Sequence, residues 1–90
     1  MNRMNDMQHD YVSSVFAKIK DLVNGRVNYK YFSQLDAVIF TICFKEFKFE
    51  YPIKNIQETI INGQSTDEIV NDFCKEYKMA INHAFFKSGR

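Results

Sequence analysis

The sequence predicts an α+β fold: a small single domain in the order α-β-β-β-α-α, with a three-stranded antiparallel meander whose aromatic face carries the helices. Three observations predict it. Apolar side chains recur at spacings of three and four up to Val23, they alternate with polar ones over Arg26–Phe32 and again over Phe47–Tyr51 on either side of an apolar run, and the helical spacing returns after Pro52. The two periods correspond to the two ways a chain can present one apolar side, a helix stripe and a strand face.

The first helix is expected over residues 6–24, with Met7, Tyr11, Val12, Val15, Phe16, Ile19, Leu22 and Val23 as its stripe. Asn24-Gly25 is read as the left-handed stop. In the first strand, Arg26–Phe32, Val27, Tyr29 and Tyr31 share one side, opposite Arg26, Asn28 and Lys30. Ser33 to Asp36 reads as a turn. Ala37 to Phe44 is β-branched, aromatic and apolar on both sides, as a central strand should be. Lys45-Glu46 then forms a two-residue loop, and Phe47, Phe49 and Tyr51 alternate until Pro52, which is expected to end the ladder.

That reading fixes a register. Phe44 faces Phe47, Ile42 faces Phe49, and Phe40 faces Tyr51. Across the first turn, Tyr31 faces Val38 and Tyr29 faces Phe40, so the aromatic rows of all three strands coincide. Lys-Glu is a poor sequence for the mirror-image turns of tight hairpins, which leaves a bulge or a longer loop as the alternative there. Pro52 suits the first turn of a second helix of about ten residues, which Asn62-Gly63 closes. Ser65 with Glu68 forms a capping box for a last helix that runs to about Lys87.

Ninety residues support one core, so one domain is expected over 1–90, with 1–5 and 88–90 frayed. Nine Phe and five Tyr supply a large apolar payload, and no Trp is present. Lys, Asn, Ile, Phe and Tyr make up 40 of 90 residues, all types with AT-rich codons, which points to a bacterial, phage or mobile-element origin. The net charge of +1 gives no global field to draw in nucleic acid or an anionic membrane. Neither a signal peptide nor a membrane-length apolar run stands out, so a cytoplasmic protein is expected.

The chemistry-bearing residues are scattered. Cys43 and Cys74 lack a CxxC spacing and are expected to be buried free thiols. His83 is nine residues from Cys74 and so points to the opposite side of the last helix. An enzyme built on Cys43, Cys74 or His83 is therefore the weakest reading. Asp67 and Glu68 stand where a helix start needs negative charge, and the single glycines form no phosphate loop. No catalytic residue, metal, cofactor or small-molecule substrate is expected.

Two binding readings remain. Lys30, Tyr31, Lys45 and Lys48 interleave bases with aromatics, as in a single-strand nucleic-acid binder. The register, however, turns the aromatics inward, and so few lysines neutralise few phosphates. On the other side of the sheet Phe32, Ala37, Ile39, Thr41 and Cys43 form a small apolar centre rimmed by Lys30, Lys48 and Glu50, the pattern of a protein contact, unless a helix crosses to cover it. Surplus apolar positions on the first and last helices suggest a second copy of the chain as partner. The leading expectation is a non-catalytic, homodimeric accessory or regulatory module.

Overall fold

A computed structural model describes residues 4–23 and 25–87, with side chains as far as 84. The elements are α1 (Asp6–Leu22), β1 (Arg26–Phe32), β2 (Ala37–Phe44), β3 (Phe47–Ile53), α2 (Ile56–Ile61) and α3 (Thr66–Ile81), which passes into a π-helical turn over Asn82–Lys87. The sheet is antiparallel in the order β1-β2-β3. The fold is the α+β arrangement that the alternation predicts, in the predicted order. The frayed ends expected at 1–3 and 88–90 lie outside the described residues, as does Asn24; Met4 packs against the core and Asn5 caps α1.

The register follows the aromatic rows. Tyr29 pairs with Phe40, Tyr31 with Val38, Phe40 with Tyr51, Ile42 with Phe49 and Phe44 with Phe47. All these side chains lie on the helix-bearing side. There Val12, Val15 and Ile19 of α1, Ile56 of α2, and Ile69, Val70 and Phe73 of α3 join Val27, Val38, Phe40, Ile42, Tyr51 and Ile53 in one core. Phe73 is its hub: its ring centre lies 5.4 Å from Tyr51, 5.3 Å from Tyr77 and 5.8 Å from Phe49. Such pairs add about 0.5–1.5 kcal/mol each beyond the area they bury. Phe16 closes the other flank, 5.1 Å from Tyr29 in an edge-to-face contact.

Three expectations about ends need correction. Pro52 does not open a helix: it stays in β3 opposite Ile39, and the strand runs on so that Ile53 buries itself opposite Val38. The alternation Phe49, Tyr51, Ile53 prevails because each step buries a side chain, and an edge strand tolerates a proline whose nitrogen faces away from its neighbour. α2 consequently begins only at Ile56, after Asn55 in a left-handed conformation (φ 52°). α1 closes at an extended Val23, whose N–H donates to the Ile19 carbonyl. Gly25 serves a different purpose, since a Cβ there would sit 2.5 Å from the Cys43 carbonyl oxygen. Finally, the last helix widens to π geometry beyond Ile81.

The Lys45-Glu46 loop is the two-residue hairpin, without a bulge. Lys45 takes a positive φ of 56° while Glu46 does not, the φ pattern of a type II′ turn. The chain accepts the cost of a side chain there, about 1 kcal/mol, and the Lys45 ammonium rests 5.4 Å from the Phe44 ring centre.

Candidate interaction surface

The burial of β2 shows that the helices cover one side of the sheet only. Val38, Phe40 and Ile42 are buried beneath them, whereas Ile39 and Thr41 are half-buried and Cys43 is exposed. Among the described residues α1, α2 and α3 all contribute to the inner core and none crosses to the outer side. Cross-strand partners arrange the outer side in rows: Phe32 beside Ala37; Lys30, Ile39, Pro52; Asn28, Thr41, Glu50; Arg26, Cys43, Lys48. One end is apolar and the other charged.

Phe32, Ala37, Ile39, Thr41 and Cys43 thus share one surface. Ala37 is 4% exposed, so it forms the floor, not a contact point. Phe32 is half-buried, with the Lys30 ammonium 5.4 Å from its ring centre, and exposed Leu35 in the adjoining turn extends the apolar end. Lys48 and Glu50 approach to 3.9 Å, a solvated pair of little energetic weight. Cys43 is not the buried thiol the sequence suggested: outer-side positions near the hairpin have no layer above them. Cys74 is half-buried against the core.

The four residues of the nucleic-acid reading separate. Lys30 and Lys48 are on the outer side, on opposite edge strands, and Lys45 occupies the hairpin tip. Tyr31 is on the inner side, where its hydroxyl donates to Asp36 Oδ1 at 2.9 Å. Burial first, and the Asp36 carboxylate second, raise its pKa. His9 and His83 are exposed, on α1 and the π turn. No group of three His, Cys, Asp or Glu side chains able to hold a metal ion occurs among the described residues, and no helix among them is long and apolar enough to cross a membrane.

Two polar features escaped the sequence reading. Asp36, in a left-handed conformation (φ 46°), ties the end of the sheet to both neighbouring helices. Its carboxylate accepts from Gln8 Nε2 (2.6 Å), Tyr31 Oη and the Gln57 backbone N–H (2.8 Å), while its carbonyl accepts from Ile56 N–H (3.0 Å). It thereby caps α2, whose own Asn55 provides no side-chain cap. Gln8 is in turn held by a capping box with Asn5. The second feature is Tyr51, whose hydroxyl donates to Asp72 Oδ2 at 2.6 Å beside a polar cleft of about 370 Å³ that includes Gln64, Glu68 and Lys75. Burial, then the Asp72 carboxylate, push this phenol well above its ordinary range, so it is a donor and not a base at neutral pH. Only spatial proximity makes these groups partners, and no local spacing signals it.

No protein-family model, curated protein or solved structure matches this chain.

Proposed function

We propose that the chain is a small non-catalytic protein-interaction module that works as a homodimeric accessory or regulatory factor and presents the outer side of its sheet to protein. One observation carries the reading: the helices cover a single side of the sheet, leaving Ile39, with Pro52 beside it, and Thr41 in the next row without a helix above them. A sheet face whose apolar end, Phe32, Ala37, Ile39 and Pro52, is bordered by polar and charged rows has the composition of a protein contact. The AT-rich residue usage favours a bacterial, phage or mobile-element setting, and a cytoplasmic site of action belongs to the same proposal.

Nucleic acid fits this surface less well. Its basic groups are Arg26, Lys30 and Lys48, with Glu50 beside Lys48, and the tyrosines that would stack bases are committed to the core. Sedimentation equilibrium tests the homodimer. A mass near twice 10.7 kDa at micromolar concentration supports it, and 10.7 kDa up to several hundred micromolar refutes it.

A further inference from the structure

The two edges of the sheet are not equivalent. A two-residue hairpin loop closes on a pair that exchanges both backbone hydrogen bonds, and such pairs alternate with non-bonded ones along an antiparallel ladder. Starting from Phe44 and Phe47, the peptide groups of Phe44, Ile42, Phe40 and Val38 turn toward β3, and those of Cys43, Thr41, Ile39 and Ala37 toward β1. On β1 this engages Arg26, Asn28, Lys30 and Phe32, and leaves the N–H and C=O groups of Val27, Tyr29 and Tyr31 directed at the free edge. Among the described residues no backbone bond outside the ladders reaches those three. On β3 the free-edge groups belong to Lys48, Glu50 and Pro52, and Pro52 has no N–H to offer. Proline and charge are the usual protection of an edge strand. The β3 edge is blocked where the β1 edge is complete.

We propose that β1 of one copy pairs antiparallel with β1 of a second copy, about a two-fold axis at Tyr29, to give a continuous six-stranded sheet. The proposal rests on the homodimeric reading above and says where the copies meet. In this register Tyr29 bonds to the same residue of the second copy and Val27 bonds to Tyr31, about six backbone hydrogen bonds in all. On the outer side Arg26 meets the ring of Phe32, and Asn28 meets Lys30. Sliding the axis to Asn28 sets Arg26 against Lys30, and sliding it to Lys30 sets that lysine against itself. Like charges directly opposite are destabilising, so the Tyr29 register is the one that the charges permit. The pairing also places the two outer surfaces side by side, doubling the platform.

Cysteine cross-linking reads the register. Asn28 and Lys30 of opposite copies form a non-bonded pair, whose Cα separation of about 4.5 Å lies within disulfide reach. In a C43S/C74A background, a mixture of N28C and K30C chains is expected to form the mixed disulfide on mild oxidation, while neither variant alone cross-links efficiently. Cross-linking of N28C alone or of K30C alone, or none in the mixture, overturns the register. Light scattering on the uncross-linked background protein separates the two readings: dimers without the mixed disulfide sink the edge pairing alone, and monomers at high concentration sink the homodimer as well. Charge supplies a second measurement on exposed, fold-neutral Asn28. Asn28→Glu, opposite Lys30, should tighten the dimer, and Asn28→Lys should weaken it by about tenfold, whereas equal dissociation constants for the two variants contradict the pairing.

Discussion

Replacing Asp36 by alanine should cost far more than a turn substitution normally does. The carboxylate accepts three hydrogen bonds, from Gln8, Tyr31 and Gln57. Its loss strands the Gln8 amide, which is only 7% exposed, at about 1–2 kcal/mol. It removes the side-chain cap of α2, worth about 1 kcal/mol. Alanine also tolerates the left-handed backbone (φ 46°) less well than aspartate, by about 1 kcal/mol. The total is about 3–4 kcal/mol, a large share of the stability of a 90-residue domain, equivalent to about 15–25 °C in Tm. Asp36→Asn keeps the backbone preference and one acceptor oxygen and should lose about half as much. Urea unfolding followed by far-UV circular dichroism measures both. Because Gln8 and Asp36 share a bond, a double-mutant cycle with Gln8→Ala should return a coupling of about 1–2 kcal/mol. A loss below 1 kcal/mol for Asp36→Ala, or additive single effects, would refute the keystone role.

Alkali should unfold the protein through its tyrosines. Tyr51, Tyr31, Tyr11 and Tyr77 all have pKa values raised above 10, chiefly by burial, so their contribution is intact below pH 10 and is lost as the pH climbs from the unfolded value through the folded ones. Tyr51→Phe should therefore flatten the decline in urea midpoint above pH 10 while costing about 1 kcal/mol at pH 7. Lys45→Gly should stabilise by about 0.5–1 kcal/mol, because glycine accepts the positive φ of the hairpin without strain; chemical denaturation measures it. In the native protein Cys43 should react with a maleimide at least ten times faster than half-buried Cys74, followed by mass spectrometry of the labelled peptides.

The sheet was legible because its register rests on alternation in the two outer strands, every second residue from Val27 to Tyr31 and from Phe47 to Tyr51, around the apolar β2. The elements went astray where two local signals competed. Pro52 reads equally as a helix start or an edge residue, and what decides between them is Ile53 reaching Val38, a contact across strands. The Asp36 cluster was invisible for a related reason: Gln8 and Gln57 lie 28 and 21 residues away, and an aspartate in a turn normally satisfies only its own backbone. The outer surface was legible as composition, yet its state of cover was not. Sequence alone placed Ile39 and Cys43 on one side, and only the packing of all three helices on the side that carries Phe40 and Ile42 left the other open.

Methyl NMR in the presence of a soluble paramagnetic agent tests that one-sided packing directly. The Ile39 methyl groups should relax strongly and those of Ile42, Ile56 and Ile19 hardly at all. Equal protection of Ile39 and Ile42 in dilute, monomeric protein would mean that something covers the outer side, and the surface proposed to meet another protein would not exist.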